Sequence, residues 1–398
     1  MKKLYPEEKL LMLSAKINPA LNDLLLAEQL ILQVLNWEKL VDQAISRSMG
    51  PLLYKLFLHK QLKEKVPSSA FKKLEAAYYT TLRRNMLLLN AWAEVAAALA
   101  TADIKVIALK GIYLAEHLYE DIGVRQLSDI DLLVQPENGE KALEVLTQLG
   151  YQSTKNPFST ELKPDNDFVH YPPMLRDGLS IEVHVRLHRP DRAYQLNTNA
   201  FIERAEPVII NGVSAYTLSF YDQLLFLCIH SEKHFTGSKI QFSCFTDLAN
   251  FLFKYSQNMD WEKLIALSRE NLCETIVFKQ LLLTARFFDA PIPEIYRKKY
   301  IKTVNATHEE VFMRFLRGYM FAGHHFENFS TNIAAIKGFR KKLHFLLGNL
   351  FPPKSYMVQR YHISNEKHYR IYYFYRFYIA VSSILGKIKT NSKWVKER

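Results

Sequence analysis

From Pro6 to about Ala102 apolar residues return every three or four positions, as at Leu24, Leu25, Leu30, Ile31 and Leu35, which predicts a run of amphipathic helices. Pro51 and Pro67 mark breaks between them, because proline inside a helix removes a backbone donor. Ser68 to Ala100 holds neither Gly nor Pro and is rich in Ala and Leu, so one long helix is predicted there.

The texture changes at Ile104. Ile104-Lys105-Val106-Ile107-Ala108-Leu109 reads as a short buried strand, ended by Lys110-Gly111 and followed by a helical stretch to Glu120 and a turn at Gly123. A second strand spans Asp129 to Val134. Pro136 suits the first turn of a helix whose apolar face is Ala142, Val145, Leu146 and Leu149, with Gly150 as its stop. Strict alternation then puts Ile181, Val183, Val185 and Leu187 on one face of a strand and Glu182, His184, Arg186 and His188 on the other. Val208 to Thr217, turning at Asn211-Gly212, predicts a hairpin. Beyond it Ser219 and Asp222 form a helix-start pattern, and helices continue with breaks near Asn258, Pro291 to Pro293 and Pro352-Pro353. The predicted class is α+β: a mixed-sheet core at 103–218, inserted between a helical region at 1–102 and helical regions at 219–336 and 337–398.

Charge divides the chain at one point. Net charge is +12 over 398 residues, and 337–398 holds fourteen Lys/Arg against Glu366 and Glu397, so the whole excess lies in that segment. There Arg370 and Arg376 alternate with Tyr369, Tyr372, Tyr373, Phe374, Tyr375, Phe377 and Tyr378, a pattern suited to RNA, an acidic acceptor or an anionic membrane surface, or to a helix packed with its cations in water. Three scattered cysteines, Cys228, Cys244 and Cys273, exclude a disulfide framework and fit a reducing cytoplasm. Glu7 and Glu8 interrupt any secretory signal pattern, and no stretch reaches the roughly 18 apolar residues a spanning helix needs.

The chemistry concentrates in Leu109-Lys110-Gly111 and Ser128-Asp129-Ile130-Asp131. On a strand, residues i and i+2 point the same way, so Asp129 and Asp131 project together. At about 4 Å and an effective dielectric near 20 their repulsion is about 4 kcal/mol, which a proton or a cation relieves. Carboxylate-only ligation favours Mg²⁺ or Mn²⁺ completed by substrate phosphates. Gly111 would let backbone N–H groups approach a phosphate, with Lys110 adding charge.

This order of residues, Leu109-Lys110-Gly111, Tyr119, Arg125 and Ser128-Asp129-Ile130-Asp131-Leu132-Leu133-Val134, resembles the DNA polymerase beta-like nucleotidyltransferase superfamily. More narrowly it is similar to an uncharacterised bacterial nucleotidyltransferase family. The family's acidic residue followed by x-His corresponds to Glu182-Val183-His184, and its paired histidines and Asp-Leu-Ala segment correspond to His230, His234 and Asp247-Leu248-Ala249. The resemblance implies a polymerase beta-like core and a metal-dependent site with Asp129, Asp131 and Glu182 as catalytic and metal-binding carboxylates. It further implies transfer of a nucleoside monophosphate from a nucleoside triphosphate to an acceptor hydroxyl, with pyrophosphate released. Many superfamily members carry Gly-Ser where this chain carries Lys110-Gly111, so the lysine would replace a hydroxyl contact to phosphate.

Lys110, Gly111, Arg125 and Ser128 are the expected nucleotide-binding residues, with an ion-pair role open for Lys110 and Arg125. His184 is expected to orient Glu182 or to serve as a hydrogen-bonded structural histidine. The acceptor class favoured is a peptide, a protein or a small molecule, with RNA open because of 337–398. Two other readings stand beside this one: a metal-dependent hydrolase built on His184, His188, His230 and His234, and a nucleotide sensor or scaffold without turnover.

Overall fold

The computed structural model describes residues 4–153, 169–188, 194–235 and 242–317, together with 343, 357, 369–374 and 377. The described residues up to 317 belong to one compact unit, and the few beyond it to a second. Most of the basic 337–398 segment lies outside the described residues.

The N-terminal helices are α1 (Pro6–Ser14), α2 (Leu21–Ile31), α3 (Trp37–Ser46), α4 (Gly50–Phe57), the single turn α5 (Lys60–Lys63) and α6 (Ser68–Thr101). α6 is the expected long helix, and at 1.5 Å per residue its 34 residues span about 50 Å. Then follow β1 (Ile107–Ala108), α7 (Gly111–His117), β2 (Ile130–Leu133), α8 (Gly139–Gln148), β3 (Gln152–Ser153), β4 (Met174–Arg176), β5 (Leu179–His184), α9 (Thr198–Glu203), β6 (Glu206–Ile210) and β7 (Val213–Thr217). The chain returns to helix as α10 (Phe220–Phe235), α11 (Phe242–Tyr255), α12 (Trp261–Glu270), α13 (Glu274–Phe288), α14 (Glu294–Tyr300) and α15 (Ala306–Leu316).

The strands form one mixed sheet in the order β3-β4-β5-β2-β1-β7-β6. β1 is antiparallel to β2 and parallel to β7, and β2 is parallel to β5. This is the α+β class expected, a mixed sheet set between helical regions. The first strand is shorter than the apolar run 104–109, spanning Ile107–Ala108. The 208–217 hairpin forms at its expected turn, where Asn211 and Gly212 both take positive φ as a tight hairpin turn requires.

Register decides which side chains meet. Ile130 pairs with Ile181 and Leu132 with Val183, all fully buried on one sheet face, which α6 and α8 cover. The opposite face carries Asp131 beside Glu182 and Leu133 beside His184. There Ile107, Leu109 and Leu133 pack with Leu114 of α7, with Leu118 just after it, and with Leu224 and Leu225 of α10. A second core, built on α1 to α4, takes Phe245 of α11 and Phe312 of α15 into the same apolar cluster. Among the described residues no helix is long and apolar enough to cross a membrane.

Candidate active site

The strand-to-helix turn after β1 sets the lysine. Leu109 donates its N–H to the Asp131 carbonyl at 3.1 Å, extending the β1–β2 pairing one residue beyond the strand. Lys110 then takes φ 45°, ψ −112°, a region that a side chain disfavours, and the backbone enters α7 at Gly111. Strain of this kind costs about 1–3 kcal/mol and persists where surrounding contacts over-determine it. Its result is that Lys110 Nζ lies 3.0 Å from Asp131 Oδ2, with both side chains nearly buried.

Asp131 is the hub. Its other oxygen, Oδ1, lies 2.8 Å from His184 Nε2, and the same nitrogen is 3.6 Å from Glu182 Oε2. Burial would raise the Asp131 carboxyl pKa, but Lys110 and then the His184 hydrogen bond outweigh it and hold the group well below the usual carboxylate range. His184 shows the complementary balance: burial opposes its charged form, while hydrogen bonds to Asp131 and Glu182 prevail and raise its pKa. Glu182 is lowered against the effect of its burial by His184 and His170, whose Nδ1 is 3.8 Å from Glu182 Oε2.

Asp129 behaves differently. It sits just before β2 and accepts a hydrogen bond from the Ser128 hydroxyl at 2.8 Å. Burial, and then the charges of Asp131 and Glu182, raise its pKa, with Ser128 and Lys110 opposing. The atoms that come within 4.8 Å of one another belong to Asp131, Glu182 and His184. Asp129 stands outside that group, so of the three expected carboxylates two converge closely and the third is an electrostatic neighbour. His184, expected to orient a carboxylate, lies inside the cluster. Its Nε2 faces both carboxylates, and its Nδ1 is buried without a hydrogen-bond partner.

Arg125 and Gly111 explain one another. The Arg125 guanidinium makes a two-point ion pair with Asp247 of α11, at 2.9 Å from Nε and 2.7 Å from one terminal nitrogen. Tyr119 donates its hydroxyl to the same Asp247 at 2.8 Å. A Cβ added at Gly111 would lie 2.8 Å from the other Arg125 nitrogen and 2.8 Å from Leu127 Cδ2, so glycine is what lets α7 begin against this ion pair. Of the two roles open for Arg125, the structure displays the ion pair. The loop between α7 and β2 is also held from α6: Asn85, fully buried, donates its amide to the Ile122 and Arg125 carbonyls and accepts from Leu127 N–H.

The remaining histidines separate. His188 Nε2 accepts from Leu196 N–H at 2.7 Å. His230 and His234, four residues apart on α10, gather with Cys244 of α11. The four histidines of the hydrolase reading are therefore divided among different clusters. Two residues of the site, Asn85 and His170, are not foreseeable from the sequence. Asn85 is one polar residue within a long Ala- and Leu-rich helix, and His170 follows a stretch without periodicity, so neither carries a local signal.

Together the turn before α7 offers a lysine and backbone N–H groups, and the adjoining strands offer oxygen donors on one face. That arrangement can neutralise and position a phosphate beside a hard cation. No curated protein and no solved structure matches the chain. A family model described as uncharacterised nucleotidyltransferase matches residues 33–289, well over half of the sequence. The chain therefore belongs to this nucleotidyltransferase family.

Proposed function

We propose that the protein transfers a nucleoside monophosphate from a nucleoside triphosphate to an acceptor hydroxyl, with Asp129, Asp131 and Glu182 as the acidic residues of a Mg²⁺- or Mn²⁺-dependent site. The observation that carries this reading is the pairing of Asp131 with Glu182 on adjacent parallel strands, with Lys110 delivered to the same face by the preceding turn. The donor set fits a hard divalent ion, since its oxygens come from carboxylates and the buried His184 supplies a nitrogen beside them. When bound by these groups the ion supplies charge neutralisation for the transferring phosphate.

The chain's own residues do the rest. Lys110 and the backbone N–H of Gly111 bind the triphosphate, and Ser128 holds Asp129 and borders the phosphate. Arg125, through Asp247, fixes the turn beneath them. His184 orients Asp131 and Glu182. The acceptor oxygen forms its bond to the α-phosphorus as the α–β phosphoanhydride bond breaks. Pyrophosphate leaves, and Glu182 accepts the acceptor proton. A peptide, a protein or a small molecule is the favoured acceptor, and an RNA end would draw on the basic 337–398 segment.

The test is incubation of the full chain with each α-labelled nucleoside triphosphate, Mg²⁺ or Mn²⁺ and cell extract, against the Asp129→Ala/Asp131→Ala double variant. Label transferred by the wild type alone identifies base and acceptor together. Equal labelling by both proteins defeats the assignment. Nucleotide binding without pyrophosphate release for any acceptor favours the sensor reading.

A further inference from the structure

We propose that His230, His234 and Cys244 form a second metal site, distinct from the carboxylate cluster and selective for a borderline first-row ion such as Zn²⁺. His230 and His234 are one helical turn apart on α10, so both rings leave the same face, with centroids 4.5 Å apart. Cys244, in the first turn of α11, brings its sulfur to them, and one atom from each residue lies within 4.8 Å of the others. In a tetrahedral zinc site with Zn–N near 2.0–2.1 Å and Zn–S near 2.3 Å, ligand atoms stand roughly 3.3–3.6 Å apart.

Donor softness separates the two clusters. Asp131 and Glu182 present oxygens suited to Mg²⁺ or Mn²⁺, whereas two imidazoles and a thiolate suit zinc and exclude Mg²⁺. Lys110 and Asp131 are charges that act on His230 from the neighbouring turn and strand. Cys228 and Cys273 have no place in either cluster, which makes them controls. Three protein ligands leave one tetrahedral position for water or an oxygen of a substrate.

Its test reads metal binding and not transfer activity, so failure of this site and failure of the proposed function are told apart. Chelator-treated full-length protein is titrated with Co²⁺ alone and then with Zn²⁺ alone. One equivalent of Co²⁺ should give tetrahedral visible bands and a near-ultraviolet thiolate-to-cobalt charge-transfer band, which Zn²⁺ bleaches and a large excess of Mg²⁺ leaves intact. Cys244→Ser should lose the charge-transfer band, while Cys228→Ser and Cys273→Ser keep it. His230→Ala and His234→Ala should each weaken Zn²⁺ binding by at least about tenfold, as disturbance of a metal's ligand shell does. Absence of the charge-transfer band in the wild type overturns the proposal whatever the variants do. Its survival in Cys244→Ser, or its removal by Mg²⁺, does the same.

Discussion

Neutralising Asp129 and neutralising Asp131 should move stability in opposite directions, although both changes are expected to abolish transfer. Asp131 is the shared partner of Lys110 and His184, both nearly buried. An asparagine there keeps one accepting oxygen for two charged donors, so one donor loses its partner. Hydrogen bonds to charged groups contribute about 1.5–3 kcal/mol, and breaking a buried pair costs about 3–5, so a loss of about 3 kcal/mol is expected for Asp131→Asn. With an unfolding entropy of about 2.1 cal/mol/K per residue over about 300 folded residues, that lowers Tm by about 5 °C. Asp129 has Ser128 as its partner and the charges of Asp131 and Glu182 as opponents. Asp129→Asn keeps an acceptor for Ser128 and removes the repulsion. With solvent screening that gain is about 1 kcal/mol, or roughly 1–2 °C.

The pH dependence follows from the same two shifts. The Asp131 pKa is depressed in the folded protein, so its contribution is present above the unfolded carboxylate range and is lost as pH falls towards the folded value. The Asp129 pKa is raised, so stability tied to that group is fully present at low pH and is lost as pH rises through its folded value. The gain from Asp129→Asn should therefore be larger at pH 7 than at pH 4. Calorimetry with EDTA present measures this without divalent ions. If Asp129→Asn loses as much stability as Asp131→Asn, then Asp129 is a compensated carboxylate like its neighbour and the reasoning is refuted.

At Lys110 the positive φ should invert the usual order of residues: Lys110→Gly should be about 1 kcal/mol more stable than Lys110→Ala in urea unfolding, where an ordinary position would favour alanine. Gly111→Ala presses a methyl group against Arg125 and Leu127, and should cost about 2 kcal/mol and most of the transfer activity, read by denaturation and the labelling assay. Gln223 is buried with neither side-chain atom hydrogen-bonded, beside a cavity of about 90 Å³ lined also by Tyr113 and Phe220. Gln223→Leu should raise stability by about 1 kcal/mol, and an unchanged or lower unfolding midpoint would contradict that.

The legible part of this fold is the part whose logic is local. Alternation over 181–188 separates Ile181 and Val183 from Glu182 and His184, and a strand's two-residue period carries that separation into the structure. Asn211-Gly212 states its turn in two residues. What sequence alone leaves open is set by partners far along the chain. Whether Arg125 meets phosphate or an acid depends on Asp247, 122 positions later. Spacing alone also treats Asp129 and Asp131 as equivalent. They differ because β2 begins at Ile130, so that Asp131 lies in register with Glu182 and Asp129 precedes the ladder. The strain at Lys110 has no signature in residue type, since lysine is not a residue chosen for positive φ.

Those distant partners also determine how much of the chain the site needs. Excising 103–218, the sheet with its own helices, removes Asn85 and Asp247 together. Ile122 and Arg125 lose the donor to their carbonyls and Leu127 N–H loses its acceptor, at about 1 kcal/mol for each hydrogen bond. Arg125 loses its charged hydrogen bonds to Asp247 and its guanidinium is opened to water, a loss of about 1.5–3 kcal/mol. The total, about 5–6 kcal/mol, is comparable with the 5–15 kcal/mol by which a domain is ordinarily stable. It does not yet count the sheet face that α6 covers or the packing of Leu224 and Leu225 on the other. The fragment should therefore show no cooperative thermal transition and a collapsed amide proton spectrum, while a chain running from α1 through α15 should keep a cooperative transition and a dispersed spectrum. A dispersed spectrum from 103–218 alone would mean that the loop before Asp129 holds its shape without α6 and α11, and that neither Asn85 nor Asp247 is what fixes it.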